Sequence, residues 1–327
     1  MLTPADFRAL IAHRGTLVID GALATELEGR GHDLNHALWS AKILRDDPEA
    51  IRKVHLDYYL AGADIATTAS YQASEQGLLE HFGMDYQASQ ELIKLSVQLA
   101  QRARVEANEQ IYPGGLPADS ASSRKLLVAG SVGPYGAYLS DGSEYRGDYQ
   151  RTAEEFKDFH RPRIHALVDA DVDMLAVETM PSMPEIEAVC SLLETEFRDV
   201  TAWVSCTLKD AEHLSDGTPL KDVLALVSRY EQIVAFGVNC VPVQLVEPAL
   251  RHLSSLREGS TPVLLCYPNS GEIWDAGSKT WSGPKPYGHA VSNQARKWTA
   301  AGAKLVGGCC RTGPKDIEAI AKALRAS

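Results

Sequence analysis

MLAVETMPSMPEIEAVCSLLETEF, residues 174–197, contains the unit from which the rest of the chain can be read. Its first part, MLAVETM (174–180), is a short and nearly continuous apolar run, the pattern of a strand buried on both faces. Its second part, MPEIEAVCSLLETEF (183–197), is longer and amphipathic, with apolar residues at helical spacing. A parallel strand followed by a crossover helix is the unit that these two halves predict.

The same alternation runs along the whole chain. Further strand candidates are TLVIDGA (16–22), ADIATTASY (63–71), LLVAGSVG (126–133), TAWVSCTL (201–208), IVAFGVNC (233–240), PVLLCYPNS (262–270) and KLVGGCC (304–310). Helical patterns lie between them at 48–63, 91–108, 153–170, 220–232, 243–256 and 292–303, and a last one follows at 314–326. Eight buried strands, each followed by a helix, predict an α/β fold, a (β/α)8 TIM barrel, as a single domain over residues 1–327. A doubly wound open sheet is the alternative, but no G-x-G-x-x-G turn follows the first strand. Residues 113–125, PGGLPADSASSRK, read as a surface loop.

The composition is that of a globular protein, 45% hydrophobic and 23% charged. A formal charge of −11 argues against nucleic acid and anionic membranes as partners. With no leader pattern and no apolar run of membrane-spanning length, a cytoplasmic protein is expected. The oligomeric state is not set by the sequence, and a monomer is compatible with it. In such a compartment the six cysteines are metal ligands, catalytic groups or core filler before they are disulfides.

Chemistry in this barrel sits at the C-terminal ends of the strands. The polar residues predicted there are Asp20, Thr67, Thr68, Ser131, Glu178, Asn239 with Cys240, Asn269 with Ser270, and Cys309 with Cys310. Cys190, Cys206 and Cys266 lie inside apolar runs and read as filler. Cys240, Cys309 and Cys310 admit three readings: core thiols, a redox pair or a metal site. Core thiols are odd at a glycine-loosened strand end, and a redox pair lacks C-x-x-C spacing. The metal reading is favoured, and three sulfur donors select Zn2+ over harder ions. Three protein ligands leave a fourth position for a substrate. A zinc already carrying three thiolates is poor at making hydroxide and better at holding a fourth sulfur as a nucleophilic thiolate. Adjacent cysteines on a regular strand would point to opposite faces, so Gly307 and Gly308 are expected to bend the chain through angles closed to other residues.

GVNC (237–240) and GGCC (307–310), with DGALATELEGRG (20–31), LAVET (175–179) and YPNSGE (267–272), resemble the zinc-dependent homocysteine S-methyltransferases. The resemblance extends from about residue 15 to the end of the chain. It implies a (β/α)8 barrel that methylates homocysteine to methionine, with Cys240, Cys309 and Cys310 as the zinc ligands and Asp20 and Glu178 near the homocysteine ammonium. The segments 131–149 and 267–281 look like the branch that takes its methyl group from the sulfonium S-methylmethionine, with S-adenosylmethionine a further candidate donor. Cobalamin-dependent relatives carry additional domains and betaine-dependent relatives a C-terminal extension.

A sulfonium donor suits the loop composition. Trp39, Tyr71, Tyr135, Tyr138, Tyr145, Tyr267 and Trp274 fall near strand ends, where a cation over an aromatic face gains about 0.5–2 kcal/mol. Asp141, Glu144 and Glu272 add negative charge, and Asn239 completes the expected substrate set. The plainer reading of the loop tyrosines is that they cover the barrel mouth. His32 and His36 have no metal-like spacing and read as solvent-exposed. Two rivals remain: a non-catalytic zinc or thiol-sensing barrel, which needs no carboxylates or aromatic loops, and a zinc hydrolase, which would want histidine ligands.

Overall fold

Eight parallel strands form the ring in the computed structural model, which describes residues 1–115, 125–259, 261–275, 280–282 and 289–325. They are β1 (Leu17–Val18), β2 (Ile65–Thr67), β3 (Leu127–Val132), β4 (Met174–Met180), β5 (Ala202–Cys206), β6 (Ile233–Asn239), β7 (Val263–Tyr267) and β8 (Ala303–Val306). Each pairs with its sequence neighbours, β8 pairs with β1, and a parallel bridge between Ile19 and Ile65 joins β1 to β2. The ring is closed, and the expected (β/α)8 barrel is what forms.

Strand alternation explains why the runs looked apolar throughout. Met174 and Ala176 of β4 pack in the barrel interior with Leu127, Ala129, Trp203, Leu265 and Leu305. Leu175 and Val177 face the other way, joining Val128, Val204, Val238 and the surrounding helices. Both faces are dry, and each fully buried large aliphatic side chain contributes roughly 1.5–3 kcal/mol.

A helix not anticipated from the sequence, Pro4–Arg14, sits at the opposite end from the site. A Thr3–Asp6 capping box starts it, and Leu2, Phe7 and Ile11 pack into the interior cluster. The Leu2 amide donates to Asp173 O at 2.8 Å, and Thr201 Oγ1 donates to Leu2 O at 2.7 Å. Both partners lie just before their strands, so this helix covers the N-terminal mouth.

The strands are shorter than the apolar runs suggested. β1 has two residues, and β8 stops at Val306, before the glycines. Two small hairpins, Leu208–Asp210 with His213–Leu214 and Ile273–Asp275 with Thr280–Ser282, are additions to the expected plan. Most of the expected surface loop, residues 116–124, lies outside the described residues. Among the described residues no helix is long and apolar enough to cross a membrane.

Candidate metal centre and substrate pocket

Cys240, Cys309 and Cys310 converge at the C-terminal mouth, their three Sγ atoms all within 4.8 Å of one another. Cys240 Sγ and Cys310 Sγ are 3.5 Å apart. Two sulfurs bound tetrahedrally at about 2.3 Å from one zinc would stand roughly 3.8 Å apart, so the donor set fits that ion in both chemistry and spacing. Hydrogen bonds from Cys240 and Cys309 hold the Cys310 thiol well below its usual range.

The backbone that brings the thiols together differs from expectation. Gly307 and Gly308 do not use left-handed angles; those belong to Cys240 (φ 52°) and Arg311 (φ 66°). The glycines are needed for close approach instead. A Cβ on Gly307 would meet Ile19 Cβ at 2.7 Å, and one on Gly308 would meet Thr312 Oγ1 at 2.3 Å. Past β8 the amides of Gly307, Gly308 and Cys309 bond in turn to Cys266 O, Asp20 O and Pro268 O, which steps the chain across the mouth.

Asn239 braces this geometry. Its Oδ1 accepts from the Thr179 amide and its Nδ2 donates to Thr179 Oγ1, both at 2.8 Å. Thr179 is itself left-handed (φ 63°) at a register shift in β4. Asn239 thus ties the residue after Glu178 to the residue before Cys240. Non-glycine residues in this region cost of order 1–3 kcal/mol and persist where neighbours enforce them.

Two buried carboxylates lie at the same mouth. Asp20 accepts from the Thr67 amide and from Thr67 Oγ1, each at 2.9 Å. Glu178 accepts from Ser131 Oγ and, at 3.0 Å, from the Tyr267 hydroxyl, which also accepts from Trp203 Nε1 at 3.0 Å. Burial pushes the Glu178 carboxyl up to about 7, against the pull of its two hydrogen bonds. Burial likewise raises Asp20 well above the carboxylate range, and the nearby Glu178 charge adds to this. Among the described residues neither is ion-paired; the buried Arg163 acts on Glu178 only electrostatically.

A sequence model of the homocysteine S-methyltransferase family matches residues 17–324. The homocysteine S-methyltransferase of Escherichia coli K12 is 52% identical over 313 residues, 96% of each chain. The chain belongs to the homocysteine S-methyltransferase family. Homocysteine S-methyltransferase 1 of Arabidopsis thaliana is 41% identical over 314 residues, covering 95% of this chain and 94% of its own. The metallated form of the E. coli homocysteine methyltransferase MmuM superposes with a TM-score of 0.84 at 50% identity, over 97% of this chain and 99% of that one.

On this homocysteine S-methyltransferase barrel the other expected residues separate into groups. Tyr145 is at the thiols, its hydroxyl 3.3 Å from Cys240 Sγ. Tyr71 and Glu144 are close enough to Cys240 for electrostatic influence. Glu272 is held by Arg311, Nε to Oε2 at 3.1 Å, and by Ser270 Oγ at 2.9 Å, so its charge is already matched. Tyr135 packs in an aromatic cluster with Tyr138, Tyr149, Phe156 and Phe159, and its hydroxyl accepts from Arg151. Trp39 is half-buried in the first turn of the helix Trp39–Asp46. Asp141 accepts from the Ser143 amide at 2.9 Å, and the Trp274 side chain lies outside the described residues. His36 is not simply solvated: its ring stacks on Phe82 at 5.3 Å.

Sequence reading missed a buried polar cluster behind the Tyr135 loop. Glu185 accepts from the Tyr135 amide at 2.6 Å, from His160 Nε2 at 2.7 Å and from the Tyr149 hydroxyl. Arg163 donates to Tyr71 O and Gly133 O, each at 2.6 Å, and to His160 Nδ1 at 3.1 Å. An arginine only donates, so Nδ1 accepts and the imidazole is neutral, consistent with the downward push of burial on His160. The signal was present: Glu185 shares the inward stripe of its helix with Ala188, Val189 and Leu192.

Proposed function

We propose that this chain transfers a methyl group from S-methylmethionine to the sulfur of homocysteine, with Cys240, Cys309 and Cys310 holding zinc. The acceptor and reaction class follow from family membership; the donor and the ion are the finer part of the reading. The observation that carries it is the convergence of three thiols near two buried carboxylates that form no ion pair among the described residues.

Bound there, zinc supplies a fourth position that keeps the homocysteine sulfur deprotonated at neutral pH. The chain's own groups do the rest. Asp20 and Glu178 take the homocysteine ammonium. Ser131 and Tyr267 aim the Glu178 carboxylate, and Asn239 keeps the ends of β4 and β6 in register. The departing thioether is neutral, so no general acid is required, and placement of the two sulfurs supplies most of the rate. The small molecules are the partners, and the free cysteines suit a reducing, cytoplasmic setting.

A thiol-sensing barrel would use the cysteines but leaves Asp20 and Glu178 without a task. The test is methionine formation by zinc-loaded protein given homocysteine and one donor at a time. Turnover is expected with S-methylmethionine and absent with betaine or methylcobalamin. Turnover with betaine alone would overturn the donor assignment.

A further inference from the structure

Glu144 stands on a short 3-10 turn, Ser143–Tyr145, in the loop after β3. Its main chain is fixed from two sides. Thr207 Oγ1 donates to Glu144 O at 2.9 Å while accepting from Ser215 Oγ at 2.9 Å. A Cβ on Gly136 would come within 2.6 Å of Glu144 N, so the two loop segments touch at backbone distance. Of the side chain, Oε2 is buried and has no hydrogen-bond partner among the described residues, while the carboxyl group keeps a bond to its own amide and Arg146 acts on it only electrostatically. The next residue on the turn, Tyr145, brings its hydroxyl to 3.3 Å from Cys240 Sγ, which places the turn beside the thiols. A carboxylate oxygen buried at this mouth without a donor is costly in its charged form unless a cation arrives.

We infer that Glu144 is the counter-charge for the sulfonium sulfur of the methyl donor, with Tyr71 and Tyr145 beside it, a role that rests on the donor reading above. The position follows from the reaction. The transferring methyl group must lie between the acceptor sulfur at the three thiols and the donor sulfur, so the positive sulfur sits within a few ångströms of that cluster. During transfer the donor carbon–sulfur bond breaks and its electron pair stays on the departing thioether. The new bond uses a pair from the homocysteine thiolate, and no proton moves. Positive charge on the donor sulfur therefore fades toward the transition state. Glu144 binds the ground state more tightly than the transition state, so it governs donor affinity and selectivity for sulfonium over neutral thioethers, and it does not accelerate the chemical step.

The test compares wild type with Glu144→Gln and Glu144→Asp in zinc-loaded protein. For Glu144→Gln the KM for S-methylmethionine should rise roughly ten- to a hundredfold, the loss of one charge-assisted contact, while kcat stays level or increases. Zinc content and the KM for homocysteine should be unchanged. Trimethylsulfonium, which has the charged sulfur and no amino-acid end, should compete with S-methylmethionine in wild type and lose that ability in Glu144→Gln. Inhibition by methionine should be the same in both, and Glu144→Asp should recover part of the sulfonium preference. Equal trimethylsulfonium inhibition of the two proteins, or none in wild type, overturns the role of Glu144. A wild-type enzyme that does not use S-methylmethionine overturns the donor reading itself.

Discussion

The Tyr267 hydroxyl donates to Glu178 Oε2 at 3.0 Å, linking the ends of β7 and β4 across the barrel. Ser131 from β3 holds the other carboxylate oxygen. The three strands thereby fix one buried carboxylate at the barrel mouth. Glu178→Gln should raise the KM for homocysteine by roughly ten- to a hundredfold, corresponding to about 1.5–3 kcal/mol for a charge-assisted contact. Tyr267→Phe should raise it less, because the carboxylate survives and only its aim is loosened. Steady-state kinetics with homocysteine varied decides this; an unchanged KM in Glu178→Gln would remove the residue from the substrate site.

Glu178 also confers a pH dependence. With its carboxyl pushed up to about 7, the free enzyme is increasingly protonated as pH falls below that value. The ammonium pairs only with the anion, so the KM for homocysteine should rise by up to tenfold per pH unit below about 7. In Glu178→Gln this component of the pH profile should vanish. A wild-type KM that is flat between pH 5.5 and 8 would contradict it.

The same shift acts on stability with a definite sign. The native carboxyl binds its proton more tightly than the unfolded one, whose value is near 4.5. Its contribution to stability is therefore greatest below about 4.5 and is lost as pH rises through about 7, by up to roughly 3 kcal/mol. Zinc-free Glu178→Gln should gain on zinc-free wild type across that window and hold the advantage at pH 8. Urea unfolding at pH 4.5, 6 and 8 measures it, and an advantage that shrinks with rising pH would reverse the assignment.

Arg163 and Glu185 make a buried polar cluster that carries the Tyr71 and Gly133 backbone. Arg163→Met takes the donor from Tyr71 O, Gly133 O and His160 Nδ1 and removes the cation whose charge acts on buried Glu185, and should cost about 3–5 kcal/mol. Chemical denaturation reports it; a loss under 1 kcal/mol would show that the cluster relaxes freely.

The sequence made some of this legible and hid the rest for physical reasons. MLAVETM could be read as a strand because both faces of β4 are dry, Ala176 toward the interior and Leu175 and Val177 toward the helices. The cysteine cluster was readable because sulfur donors at strand ends have few other uses. The true ends of β1 and β8 are hidden because buried residues continue past the regular strand: Ile19, beyond β1, makes only an isolated bridge to Ile65, and Gly307 follows β8. Residue type near a strand end does not reveal which way a ring or amide is turned, so the packing of Tyr135 among other aromatic rings and the two bonds from Asn239 to Thr179 are visible only in the structure. Glycines 307 and 308 are expected to supply unusual backbone angles, and neither does. They are small because Ile19 and Thr312 lie against them, and the unusual angle falls on Cys240 itself.

The thiol assignment has the most direct test. Cys240, Cys309 and Cys310 face one another at the mouth, whereas Cys190, Cys206 and Cys266 are completely buried in the layer between strands and helices. Cys266 lies on β7, between the strands that lead to the clustered thiols, yet alternation turns it outward while Leu265 and Tyr267 face in. Six single serine variants, each measured for zinc by elemental analysis, separate the two sets. Metal should fall well below one ion per chain in the Cys240, Cys309 and Cys310 variants and stay at one in the Cys190, Cys206 and Cys266 variants. A Cys266 variant that loses zinc while the Cys310 variant retains it would contradict the central claim.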